Sequence, residues 1–148
     1  MAPIVESIDI ARPPAEIFAY LDQLERHGEW QQAIVSTHLD TSAPIGVGTR
    51  ASDKRRMPGG MTTTVTYEIV EHDPPRRTRF QGVNGPARVA GVVNIEPLDD
   101  GAGSRLSLEL DFQGKGIGKL LAPLARMQAA KQVPADQRRL KERLEAGV

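Results

Sequence analysis

Apolar and polar residues alternate with period two along most of this chain, and the spacing turns helical in only two places. Ile4, Ile8 and Ile10 mark a first short strand, closed by Pro13-Pro14. Ile17, Phe18 and Leu21, continued by Leu24, then share a helical face. Pro14 at the opening of that segment and Glu16 in its first turn suit a helix N-terminus. The pattern breaks at His27-Gly28-Glu29-Trp30, and strands follow over residues 33–39 and 49–56. Met57-Pro58-Gly59-Gly60 is a turn. Beyond it Met61, Thr63, Val65, Tyr67 and Ile69 fall on one strand face, with Thr62, Thr64, Thr66 and Glu68 on the other, until Asp73-Pro74-Pro75 ends the run. Short strands over 78–81, which carries Phe80, and 89–96, which places Val89, Gly91, Val93 and Ile95 on one face, are separated by Asn84-Gly85-Pro86. After a loop at 99–103, Leu106, Leu108, Leu110 and Phe112 alternate strictly with Ser107, Glu109 and Asp111.

From Ile117 the period becomes helical and stays so. Leu120, Leu121, Leu124 and Met127 form its apolar stripe, extended less regularly by Val133, Leu140 and Leu144. Pro123 predicts a helix start or a kink, and Pro134 a bend. The chain therefore reads as an α+β protein: a strand and a helix, a succession of antiparallel strands, and one long terminal helix. A curved sheet closed by one helix leaves a hollow of the kind that holds small apolar molecules.

The walls of that hollow can be examined residue by residue. The inward faces of 61–69, 89–95 and 106–112 are apolar except for Thr63 and the Tyr67 hydroxyl, and neither is a strong acid or base near neutral pH. Catalysis by proton transfer requires a general acid or base aimed at the bound molecule. Asp53 and Arg55 would supply one if the strand at 49–56 turns Thr49 and Ala51 inward, but its alternation is too irregular to fix the register, and a solvated edge strand is the competing reading. His27 beside Trp30 either lines the mouth of the hollow or is a loop histidine against a packed tryptophan.

Composition narrows the picture by exclusion. At 148 residues the chain fits one domain spanning 1–148. Lys+Arg and Asp+Glu both number 19, so nothing in the net charge draws the protein to nucleic acid or to an anionic membrane. Cysteine is absent, which removes disulfides and thiolate chemistry. No His pair has ligand spacing, so neither a metal nor another cofactor is expected. There is no signal-peptide pattern and no membrane-length apolar run, so a cytoplasmic protein without stable membrane insertion is expected, as monomer or homodimer. Gly114-Lys115-Gly116-Ile117-Gly118-Lys119 fails the spacing of a phosphate loop and reads as a flexible strand-to-helix connection. Aromatics make up only 4%, so the core rests on Val, Ile, Leu and Ala.

Four segments carry a family resemblance: residues 8–21 with Pro13-Pro14 at the strand-to-helix junction, Trp30 after the short second helix, residues 69–77 with the Asp73-Pro74-Pro75 turn, and residues 140–145 at the helix end. In this order they resemble the polyketide cyclase/dehydrase-like branch of the START and pollen-allergen-like (SRPBCC) superfamily. The resemblance implies a helix-grip fold: a curved antiparallel sheet of roughly six to seven strands around a long C-terminal helix, with two short helices after the first strand. It also implies a cavity lined by Trp30, Phe80, Val93, the inward residues of the other strands, and Leu120, Leu121, Leu124 and Met127 as its roof. Members bind lipids, polyketides and other apolar compounds, some catalyse ring closure or dehydration, and others act as interaction or resistance proteins. The apolar walls favour binding or transport of a small hydrophobic ligand. A cyclase/dehydratase using Asp53, Arg55 or His27 is the alternative, and an interaction or resistance protein without a small-molecule ligand a further one.

Overall fold

The structure is a computed structural model and describes residues 2–85 and 87–147. Within them, one seven-stranded antiparallel sheet forms the body, in the order β1-β7-β6-β5-β4-β3-β2. Its strands are β1 (Ile4–Ile10), β2 (Ile34–Leu39), β3 (Arg50–Arg56), β4 (Thr62–Asp73), β5 (Arg77–Gly82), β6 (Ala87–Leu98) and β7 (Gly103–Gly114). Helix α1 (Pro14–Leu21) and a 3-10 segment (Leu24–Glu29) follow β1, and helix α2 (Gly118–Glu145) ends the chain. From β2 to β7 the strands run as a meander, and β1 crosses over to pair with β7. This is the helix-grip fold.

Register decides which side chains face the helices, because paired residues of an antiparallel ladder point the same way. Ile8 pairs with Leu106, which pairs with Ile95; Leu110 pairs with Gly91, and Gly91 with Phe80. Farther along the sheet, Ile69 pairs with Phe80, Tyr67 with Ala51, Val65 with Asp53, and Thr63 with Arg55. One continuous face thus carries the apolar positions of every strand, and it carries Asp53 and Arg55 with them. Gly91 has to be glycine in this packing: a Cβ there would overlap the Phe80 ring and lie 3.0 Å from Leu110 Cδ2.

Two clusters hold the helices to this face. Ile10, Ile95 and Leu106 pack against Ile17, Phe18 and Tyr20 of α1 and against Leu140 and Leu144 of α2. Leu24 of the 3-10 segment packs on Ala51 and Ile69. Each fully buried aliphatic side chain contributes about 1.5–3 kcal/mol. Polar ties fix the helix ends as well: Tyr20 Oη donates to Glu29 Oε1 at 2.8 Å, and Arg143 reaches the same carboxylate at 3.0 Å.

Helix α2 departs from the sequence reading in two ways. It runs through both Pro123 and Pro134 as one helix. Its sheet-facing side is Gly118, Ala122, Val133, Asp136, Gln137, Leu140 and Leu144, so the expected stripe is not the packing face. Leu120, Leu121, Leu124 and Met127 are 73%, 40%, 60% and 57% exposed. At about 100° per residue, Leu120, Leu124 and Met127 lie roughly opposite Ala122. The close approach of Gly114 to the Gly118 carbonyl sets this orientation, because it seats the first turn of the helix by its small residues.

Candidate functional site

The site is built from the centre of the helix-facing side. Val65, Tyr67, Phe80, Val89, Val93, Leu108, Leu110 and Phe112 all face α2, yet each is only half-buried. Along its N-terminal half α2 offers this face only the small residues Gly118 and Ala122, so the half-buried apolar wall in front of them is where the expected hollow lies. Tyr67 and Phe80, on the adjacent strands β4 and β5, pack edge to face on this wall, with ring centroids 5.7 Å apart. The sequence assignment of these residues to one apolar wall agrees with the register. Besides the four outward-turned residues of α2 expected as a roof, Leu120, Leu121, Leu124 and Met127, three expected wall residues lie elsewhere. Leu106 is buried in the packed core beneath the helices, not beside the hollow. Met61 and Thr63 sit at the exposed tip of the β3–β4 hairpin, where no helix reaches them.

The hollow has a polar floor. Pairing with Val65 and Thr63 settles the register that the irregular alternation of β3 left open, and both Asp53 and Arg55 point inward. Thr37 Oγ1 donates to Asp53 Oδ1 at 2.8 Å, and Arg55 Nη1 lies 3.7 Å from Asp53 Oδ2. Arg55 also donates to Gln31 Oε1 at 3.1 Å. Burial raises the Asp53 carboxyl above the ordinary aspartate value, against the lowering effect of Thr37, His27 and Arg55. His27 is half-buried in the 3-10 segment, its ring 5.4 Å from that of Trp30 and its Nε2 2.7 Å from the Leu21 carbonyl. A carbonyl only accepts, so Nε2 carries the proton of the neutral ring. Burial lowers the His27 pKa, and the charges of Asp53 and Arg55 act on it in opposite senses.

Two donors are buried without a partner among the described residues: Tyr67 Oη on the apolar wall, and Nε1 of Trp30, whose ring lies between His27 and the core cluster around Ile10 and Leu140. Burial pushes the Tyr67 hydroxyl pKa upward, reinforced by the charge of Asp53, so it stays a neutral donor at physiological pH. The sequence reading missed three members of the floor: Thr37, Gln31 and Asp136. Asp136 of α2 is buried, accepts from the Gln32 backbone amide at 3.3 Å and feels the charge of Arg55, while burial raises its pKa. The signal was present, since Asp136 stands four residues before Leu140 on the packing face of the helix, where a solvated acid does not belong. No three His, Asp or Glu side chains among the described residues converge on a metal-sized point.

Two open grooves lie elsewhere, and neither is lined by Asp53, Arg55, Tyr67 or Trp30. The larger, about 510 Å³, runs at the end of the sheet between Arg88 and Lys115. The smaller, about 250 Å³, lies along strands β5 to β7 between Arg79 and Asp111.

Comparison with known proteins follows the fold. The family model described as polyketide cyclase / dehydrase and lipid transport matches residues 1–147. Among curated protein sequences none matches. The solved structure of TTHA0849 from Thermus thermophilus is 23% identical, with a TM-score of 0.78 over 99% of each chain. The Zhui aromatase/cyclase from Streptomyces sp. R1128 is 13% identical, with a TM-score of 0.82 over 97% of this chain and 93% of its own. Ara h 8.0201 is 20% identical, with a TM-score of 0.71 over 98% of each chain.

Proposed function

The chain belongs to the polyketide cyclase / dehydrase and lipid transport family, and from that premise we propose that it binds a small, largely apolar molecule carrying at least one hydrogen-bond acceptor, in the hollow between the sheet and α2. The observation that carries this reading is the pair of unpartnered buried donors, Trp30 Nε1 and Tyr67 Oη, beside an apolar wall. A buried donor left unsatisfied costs about 1–3 kcal/mol. A ligand carbonyl or hydroxyl oxygen removes that cost, while its hydrocarbon covers Val65, Phe80, Leu108, Leu110 and Phe112. Affinity then comes from apolar burial at about 25 cal/mol per Å², less the cost of association. Arg55 is the group for a ligand carboxylate or enolate.

Trp30 is the only tryptophan in the chain, so its fluorescence reports on this site alone. Titration with a hydroxylated naphthoquinone and with a fatty acid should change Trp30 emission saturably and raise the melting temperature with ligand concentration. A flat titration with both, and no thermal stabilisation, would rule the reading out.

A second reading has its own support. Asp53, whose carboxyl burial raises toward the neutral range, and His27, whose ring burial keeps in its neutral form, are two titratable groups that feel each other's charge, one placed to hold a proton and one to accept it. With Arg55 to hold a developing oxyanion, that set suits a cyclisation or dehydration of a bound poly-carbonyl chain. Asp53→Asn distinguishes the two: turnover vanishes and binding persists if the carboxyl moves a proton, whereas equal turnover by the variant removes Asp53 from any such role.

A further inference from the structure

We propose that the end of the sheet where β7 passes into α2 is a docking surface for an anionic phospholipid bilayer. Strand register brings three segments to this one end. Arg56 pairs with Thr62 at the β3–β4 hairpin, Gln81 with Ala90 next to the β5–β6 turn, and Ala87 with Gly114 where β7 stops. Helix α2 starts four residues later.

Most of the exposed large apolar side chains are at this end or on the helix that leaves it, the valines Val5, Val35 and Val47 standing apart. Met57 and Met61 occupy the hairpin tip at 41% and 72% exposure, and Ile117, Leu120, Leu121 and Leu124 stand on the first turns of α2, turned away from the sheet. An apolar stripe of this kind on a helix that the protein itself does not cover implies an outside surface. Charge says which kind. Residues 54–67, 74–95 and 112–135 contain no Asp or Glu, in a chain that has 19 acidic residues. At this end they contribute Lys54, Arg56, Arg88, Lys115 and Lys119, all exposed. None of these five forms an ion pair among the described residues, whereas arginines elsewhere, such as Arg105 with Asp9 and Arg77 with Glu71, are paired. The groove of about 510 Å³ between Arg88 and Lys115 opens on the same end.

Unpaired cations around an exposed apolar stripe complement an interface with phosphates outside and acyl chains beneath. A second copy of this chain would bring the same unpaired cations face to face, which disfavours self-association through the stripe. No helix among the described residues is long and apolar enough to cross a membrane, so the contact is peripheral. The neutral total charge conceals this asymmetry because the carboxylates are confined to the rest of the molecule.

The test is sedimentation of the full chain with vesicles of phosphatidylcholine alone and of phosphatidylcholine with phosphatidylglycerol, at low and high salt. We expect partitioning to the anionic vesicles only, weakened by salt. Lys115→Glu with Lys119→Glu should reduce it at least tenfold, since each basic residue near an anionic surface is worth roughly a fivefold change. Leu120→Asp with Leu124→Asp should reduce it similarly, and an unchanged melting temperature would show that the exposed positions tolerate the change. Equal partitioning to both vesicle types, or full partitioning of the Leu120→Asp, Leu124→Asp variant, would overturn the proposal. So would a concentration-dependent dimer that the same variant dissolves while vesicles stay unbound. The proposal does not rest on the ligand reading, because loss of vesicle binding leaves the Trp30 titration unaffected.

Discussion

The chain has two tyrosines, and the structure assigns their hydroxyls opposite effects on stability. Tyr67 Oη is buried without a partner among the described residues, whereas Tyr20 Oη donates to Glu29 Oε1 at 2.8 Å and accepts from Arg143 Nε at 3.2 Å. Tyr67→Phe keeps the ring against Phe80 and removes only the uncompensated group. An unsatisfied buried hydroxyl costs about 1–3 kcal/mol, and relaxation recovers part of that, so the ligand-free variant should be more stable by about 1 kcal/mol. In a domain of this size that raises the melting temperature by roughly 2–4 °C. Tyr20→Phe leaves a carboxylate and a guanidinium short of a bond and should lower stability by about 1–2 kcal/mol. Binding inverts the benefit at Tyr67: a ligand acceptor that satisfies the hydroxyl gains nothing from phenylalanine, and affinity should fall about tenfold, equivalent to 1.4 kcal/mol. Urea unfolding followed by far-UV circular dichroism, together with the Trp30 titration, measures both quantities on one preparation. If Tyr67→Phe is destabilised, the hydroxyl is already satisfied and the argument from an unpartnered donor collapses. If stability rises but affinity holds, the ligand does not reach Tyr67.

Other perturbations test separate parts of the structure. Leu140 is 1% exposed in the core whereas Leu120 is 73% exposed. Leu140→Ala should therefore cost about 2–5 kcal/mol by urea denaturation, and Leu120→Ala less than about 0.5 kcal/mol; comparable losses would mean that α2 is rotated about its axis. The lowered His27 pKa in the folded state means that the unfolded chain takes up the proton first on acidification. The stability held by the neutral ring is present above the unfolded value of about 6.5 and is lost as pH falls through the lowered folded value. His27→Gln should flatten the fall in urea midpoint between about pH 7 and 5; an unchanged slope would assign that fall to other groups. Asp53 runs in the opposite direction, since its raised folded pKa makes the charged form a burden once pH exceeds the unfolded value near 3.8. Asp53→Asn should gain stability at neutral pH and lose that gain near pH 4, read from the same unfolding curves.

Much of the fold was legible because period two and period 3.6 rarely compete in this chain. Leu106, Leu108, Leu110 and Phe112 alternate without exception, and the ladder places all four on the helix-facing side. The Asp73-Pro74-Pro75 and Met57-Pro58-Gly59-Gly60 turns fell where strands end, since proline cannot continue a ladder. The register of β3 was not legible. Arg50, Ser52 and Lys54 are as polar as Asp53 and Arg55, and only pairing with the better patterned β4 decides which set turns inward. Polar residues at a binding floor break the alternation that would otherwise locate them. The strand with the worst pattern was therefore the one to inspect for the site.

The misassigned helix stripe follows from the same logic with the sign reversed. Apolar spacing at Leu120, Leu124 and Met127 reports that one face avoids water, without naming what it faces. Ala122 and Gly118 carry little hydrophobic signal, yet both are buried on the sheet-facing side, and α2 begins so close to the end of β7 that Gly114 has no room for a Cβ against the Gly118 carbonyl. A helix that seats on its small residues must turn its large ones outward. Leucines that would otherwise fill the core in front of Leu110 and Phe112 are thereby displaced to the surface, and two consequences arise from one geometric choice. The hollow stays half-covered, and an apolar stripe stands beside Lys115 and Lys119 with no internal partner. A side chain at Gly114 should undo both at once, because its Cβ would overlap the Gly118 carbonyl and the helix could no longer begin there.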